Sequence, residues 1–220
     1  MLAGKGRWPL KSLIAATGLW AGLAAGQEPG EFEQALVLMP DLENGALLYR
    51  NCVACHGAEG WGNKNGSYPQ IAGQHAAVII KQLADIRAGN RDNPIMRAFT
   101  SDRVLSGAQD IADVAGYIAR LPMTRDNGQL VAGDLEYGKQ VYEENCVDCH
   151  GAAGEGKVED YSPLIYGQHY QYLLRQFNWI RNGRRRNADE EMVAQIERFS
   201  ARDITSVLGY TASLTPPEEK

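Results

Sequence analysis

The 220-residue chain is sparing with the residues that carry most chemistry, having only four cysteines, four histidines and four phenylalanines. It also lacks positive charge, with 22 Lys and Arg against 27 Asp and Glu, a formal net charge of −5. Proteins that hold nucleic acid by neutralising phosphates are basic, so that class is excluded. No segment after the N-terminal region approaches the length of a membrane span. No segment alternates in the two-residue period of a half-buried strand, and no G-x-G-x-x-G fingerprint for a dinucleotide is present. What remains, 44% apolar and 22% charged, is ordinary globular composition and excludes wholesale disorder.

Residues 1–26 read as an export signal. Lys5, Arg7 and Lys11 precede the charge-free 15-residue stretch Ser12–Gly26, and cleavage after Ala24 or Gly26 suits the small-residue rule. As a helix that stretch would reach about 22 Å, short of the ~30 Å hydrocarbon core. Cleavage is therefore favoured over a retained anchor. The expected location is the periplasm, with membrane contact only peripheral or through an uncleaved N-terminus. Removing the signal leaves a net charge of about −8 by the same count.

The chain repeats itself. CVACHG from Cys52 returns as CVDCHG from Cys146, and PQIAGQH from Pro69 returns as PLIYGQH from Pro163, both 94 residues later. Gln82, Ile86, Arg87 and Gly89 return as Gln176, Ile180, Arg181 and Gly183 at the same offset. DIADVAGYIARL from Asp110 matches DITSVLGYTASL from Asp203, an offset of 93. Ordered blocks of this kind mark a duplicated unit. The expected divisions are a first domain at 36–122, a linker at 123–133 with a turn signal at Asn127-Gly128, and a second domain at 134–215. Each unit reads as all-α: a helix into the cysteine motif (Leu42–Cys55, Leu135–Cys149), a glycine-rich loop, a helix from the GQH, and a last amphipathic helix. Units of about 90 residues have marginal cores unless something large helps to fill them.

Cys52-Val-Ala-Cys55-His56 and Cys146-Val-Asp-Cys149-His150 are both C-x-x-C-H, the attachment pattern of a c-type haem. Two thiols on one helical turn can bond the two vinyl groups of a porphyrin, and the next histidine then supplies an axial nitrogen. A thioredoxin-like pair would need a βαβ surround. A zinc site built from the four cysteines would leave both histidines unexplained, and disulfides would not require them. Two covalently attached haems, bound through Cys52, Cys55, Cys146 and Cys149, consume every cysteine. For the sixth iron position, methionine is the usual partner in an electron carrier. Met96 lies 40 residues after His56, and Met192 lies 42 after His150, each where an extended loop could reach the opposite face. Met39 and Met123, outside the repeat cores, read as packing residues. His75 and His169, each 19 residues after its proximal histidine, are the competing ligands. Their position at a helix start favours a solvated first turn.

With these motifs in place, the chain resembles the dihaem cytochrome c4 family over about residues 36–215, through CVACHG, CVDCHG, the Pro-x-x-x-Gly-Gln blocks and the final Asp-Ile…Tyr helices. The resemblance implies two cytochrome c domains about a pseudo-twofold axis, with irons held by His56 and Met96 and by His150 and Met192. It further implies a one-electron carrier whose redox partners include a membrane-bound reductase or oxidase. The approach to the second motif is one residue longer than the first. The contacts of Gly45 and Tyr49 with the last helix are therefore expected to shift, or to be set by Asn44. Tyr49, Tyr117, Tyr142 and Tyr210 read as packing residues.

The second half is the more acidic, −6 from Asp126 onward against −2 for Gln27–Arg125. It nevertheless holds Arg181 and Arg184-Arg185-Arg186, read either as a solvated loop balanced by Asp189, Glu190 and Glu191 or as a patch for propionates or an acidic partner. Two other functions remain open. One is a cytochrome subunit of a dehydrogenase, for example beside a flavoprotein. The other is a dihaem peroxidase, for which about 195 residues leave little room beyond two minimal domains.

Overall fold

Polar side-chain caps start five of the described helices. In the computed structural model, which describes residues 1, 29–128 and 132–217, eleven helices form and no strand. The expected signal lies outside the described residues except for Met1. The first half holds α1 (Glu31–Val37), α2 (Leu42–Tyr49), α3 (Val53–His56), α4 (Ala76–Ala88), α5 (Pro94–Phe99) and α6 (Ala108–Ile118). The second holds α7 (Leu135–Asn145), α8 (Val147–His150), α9 (Tyr170–Arg181), α10 (Glu190–Ile196) and α11 (Ala201–Ser213). Side chains of Asp41, Asp134 and Ser200 accept from first-turn N–H groups of α2, α7 and α11, satisfying donors that a helix leaves unpaired. The all-α expectation holds. The single helix expected over Leu42–Cys55 is broken, however, because α2 stops at Tyr49 and α3 starts afresh at Val53.

The two halves have separate cores of one design. In the first, Ile79, Ile111, Val114 and Ile118 are buried together, and in the second Phe177, Ile180, Val207 and Leu208. Each is organised by a helix crossing, α2 on α6 and α7 on α11. Glycine makes the close approach possible: a Cβ on Gly45 would overlap the Asp113 carbonyl oxygen, and one on Gly138 the Ser206 carbonyl oxygen. Paired tyrosines seal each crossing, Tyr49 with Tyr117 and Tyr142 with Tyr210, both with ring centroids 5.4 Å apart. The contacts of Gly45 and Tyr49 are therefore not shifted, contrary to expectation. Asn44 adds to them by donating to Asp110 (3.2 Å) and Asp113 (2.8 Å). The extra residue of the second half is taken up after the crossing, where α7 runs on to Asn145 while α2 has already ended. In addition, α1 packs on α4 and α6, tied by an ion pair between Glu31 and Arg87.

The crossing predicts a sharp contrast between glycines. G45A or G138A forces backbone apart and should cost at least about 2 kcal/mol. G107A, whose Cβ would meet nothing within 4 Å, should stay within about 0.5 kcal/mol of the parent. Urea denaturation of the holoprotein measures both, and a fully stable G45A would show that close approach does not fix the crossing.

Candidate cofactor sites

Each cysteine motif is a single turn, α3 or α8, ended by a left-handed glycine, Gly57 (φ 78°) or Gly151 (φ 76°). Only glycine takes that conformation without strain. The helix-crossing tyrosines hold these turns in place, Tyr49 Oη donating to Gly57 O (2.7 Å) and Tyr142 Oη to Gly151 O (2.8 Å). The histidines that follow are turned inward. His56 Nδ1 lies 3.1 Å from Pro69 O, and His150 Nδ1 lies 3.0 Å from Pro163 O. A carbonyl can only accept, so Nδ1 carries the proton and Nε2 presents a bare lone pair. Burial holds both imidazoles below their ordinary pKa, opposed by the proline carbonyls, and the Arg185 charge acts with burial on His150.

All four cysteines are free. Burial, helped by the neighbouring Cys55 or Cys149, pushes the Cys52 thiol up to about 11 and the Cys146 thiol to about 12. Such thiols are poor nucleophiles and poor zinc ligands. Among the described residues no three His, Cys, Asp or Glu side chains converge as a metal cluster. The donor set fits a porphyrin iron instead: paired thiols one turn apart, and an inward-turned neutral imidazole with one unpaired nitrogen. Large apolar side chains of the first half, Val53, Ile95 and Phe99, are left exposed, as surface that a porphyrin can cover.

Met96 and Met192 sit on short helices, α5 and α10, rather than on extended loops as expected. Both occupy the third helical position. Asn93 Oδ1 accepts from Met96 N and Asp189 Oδ1 from Met192 N, each at 3.3 Å. The two-residue insertion falls between Arg185 and Asp189. Both methionines are half-buried, and Met192 packs on the second core. Met39, expected to pack, is exposed.

His75 and His169 cap α4 and α9, but neither is a solvated first-turn residue. His75 Nε2 reaches Glu155 O (2.7 Å) in the other half. His169, 1% exposed, reaches Trp61 O through Nε2 and Asn127 O through Nδ1, both at 2.8 Å. Both ring nitrogens of His169 and Nε2 of His75 are taken up in this way. The linker takes part too, since buried Asn127 donates to Gln168 O (3.0 Å) and Ala212 O (2.9 Å).

In the arginine cluster Arg185 is turned into the contact between halves, while Arg181, Arg184 and Arg186 stay exposed. Arg185 and Arg91, its repeat counterpart, meet in an isolated antiparallel bridge. Both donate to the same two acceptors, Gln82 Oε1 (2.9 Å from Arg91, 3.2 Å from Arg185) and Gln176 Oε1 (3.0 and 3.1 Å). Arg186 donates to Gly89 O (2.6 Å), and Arg184 lies over the Trp179 ring (4.5 Å). Among the described residues no ion pair links this cluster to Asp189, Glu190 or Glu191. Burial and the Arg91 charge push the Arg185 guanidinium below its ordinary pKa. The role of Arg91 was not foreseen, although its spacing of 94 from Arg185 was visible.

The cytochrome c family model matches residues 42–122 and 135–214. A protein named thiosulfate dehydrogenase electron acceptor, from Stutzerimonas stutzeri (strain A1501), is 34% identical over 177 residues, 76% of this chain and 80% of that protein. Cytochrome c4 of Azotobacter vinelandii is 30% identical over 177 residues, 74% of this chain and 84% of that one. The structure of reduced recombinant cytochrome c4 from Pseudomonas stutzeri superposes with a TM-score of 0.68 at 26% identity, covering 80% of this chain and all of that one.

If the histidines at the interface serve only to join the halves, H75A and H169A will leave the absorption spectrum of the holoprotein unchanged. H169A will still cost about 2 kcal/mol in denaturant, because it strands buried carbonyls. A changed spectrum would return these residues to the iron.

Proposed function

The chain belongs to the dihaem cytochrome c4 family of cytochromes c, and from that premise we propose how its residues hold its two covalent haems for one-electron transfer. Cys52 and Cys55 would tether the first haem and His56 would supply a nitrogen to its iron; Cys146, Cys149 and His150 would do the same for the second. When bound, each haem supplies one Fe(III)/Fe(II) couple. Met96 and Met192 would each offer a thioether sulfur to the iron of their half, which would keep out water and small ligands. The proline carbonyls fix each imidazole and keep Nε2 on the iron side. The observation that carries this reading is His56, buried, and His150, half-buried and likewise turned inward, each with Nδ1 engaged and Nε2 bare, directly after a free cysteine pair.

The protein works as an exported carrier in the periplasm, with domains at 36–122 and 134–215, and docks transiently on redox partners through small interfaces. The relative named thiosulfate dehydrogenase electron acceptor favours a second reading, in which the electron donor is a dehydrogenase of that kind and the chain serves as its partner or subunit.

Spectroelectrochemical titration with carbon monoxide tests the assignment. Two waves and no CO binding are expected from the parent. M96A and M192A should each lower one wave and open one haem to CO. C52S/C55S should reduce the pyridine haemochrome count from two to one per chain. CO binding to the parent would refute closure by methionine and favour an enzyme.

A further inference from the structure

The glutamines of the two GQH blocks are exchanged between the halves. Gln168 Oε1 accepts from Gln70 N (3.1 Å), and its Nε2 donates to Gln70 O (2.8 Å). Gln74 makes the same pair with Leu164, Oε1 accepting from Leu164 N (3.1 Å) and Nε2 donating to Leu164 O (2.8 Å). Gln70 and Leu164 are buried. The N–H of Gln70 belongs to the same peptide group as the Pro69 carbonyl that accepts from His56. Likewise, the N–H of Leu164 shares its peptide with the Pro163 carbonyl that accepts from His150. One peptide unit thus separates each proximal imidazole from an amide of the opposite half. The same glutamine oxygens accept from His75 N (3.1 Å) and His169 N (3.0 Å), which holds them at the mouths of α4 and α9.

We propose that Gln168 tunes the haem bound by His56 and Gln74 the haem bound by His150, each acting as a positioning residue through a single peptide across the domain interface. The inference rests on the axial roles given above to His56 and His150. Its physics is cooperative. A peptide whose N–H is donated has a more negative carbonyl. That carbonyl pulls harder on the Nδ1 proton and makes the imidazole a stronger donor to iron. A stronger donor favours Fe(III), so each glutamine lowers the potential of the haem in the other half.

The test is spectroelectrochemical titration of the holoprotein, with the first haem identified as the wave that M96A displaces, and proton NMR of the histidine Nδ1–H in the reduced state. Q168M should raise the first haem's potential and move the His56 Nδ1 proton upfield, leaving the second haem in place. Q74M should do the reverse. Q168E keeps the acceptor and adds charge, so it should lower the first haem's potential. Equal movement of both waves in each variant would mean a loosened interface and would overturn the proposal. So would a shift confined to the variant's own half, or no shift at all. Absence of both Nδ1 signals in the parent would remove the ligand assignment and the proposal together, whereas unmoved signals in the variants remove the proposal alone.

Discussion

A proline carbonyl held against an inward-turned imidazole is the constraint on which the rest depends. An axial histidine must be neutral, fixed in rotation and bare on one nitrogen, and one hydrogen bond to a fixed acceptor supplies all three conditions. The acceptor has to arrive thirteen residues after each histidine, at Pro69 and Pro163. The loops between are therefore folded tightly, with Gly62 N bonding His56 O and Gly156 N bonding His150 O, both at 2.8 Å. The tyrosines of the helix crossing clamp the start of the same loops. Crossing, turn and carbonyl form one continuous brace behind the side of the imidazole that carries the proton.

The interface answers a different problem. Two guanidinium groups, one 8% exposed, lie where charge is costly to bury. Their direct partners are neutral oxygens, Gln82, Gln176, Asn187 (3.3 Å from Arg185) and the Tyr172 hydroxyl (3.1 Å from Arg91). Asp85, bonded to Lys81 (2.6 Å) and Asn187 (2.8 Å), acts on Arg185 only through its charge. The positive potential of this pair is felt as far as His150. Dense, mutual hydrogen bonding of this kind also holds the linker, so residues 122–128 are docked segments and not a tether: Trp61 bonds Pro122 O (2.8 Å) and Thr124 N bonds Gln70 (2.8 Å).

Much of this was legible in the sequence, for identifiable reasons. C-x-x-C-H is local chemistry within one turn, so spacing alone reports it. The repeat made the two halves and their helices readable, down to the start of α4 and α9 at the GQH. What escaped was whatever depends on the other half. Nothing near His169 signals that both its ring nitrogens meet carbonyls at Trp61 and Asn127, 108 and 42 residues away. Arg185 sits in a run of arginines beside acidic residues, yet Gln82 and the bridging Arg91 come from the far side of the interface. The α5 and α10 helices are too short for a periodic signal, and extended loops were expected in their place. The break between α2 and α3 was missed because Arg50 and Asn51 interrupt no apolar pattern.

Three contacts between the halves are made twice, in opposite directions. Gln74 meets Leu164 as Gln168 meets Gln70, His75 meets Glu155 as His169 meets Trp61, and Arg91 meets Gln176 as Arg185 meets Gln82. A surface that binds its own image is isologous, the kind that closes two identical subunits into a dimer. The chain is thus a homodimer written as one polypeptide, and its association is intramolecular at any dilution. Identical subunits must change both copies of a contact together; covalently joined ones are released from that coupling. The asymmetries already present, with Tyr172 where the first half has Val78 and Asn127 reserved for His169, are the freedom that fusion gives: two centres built alike but adjustable one at a time.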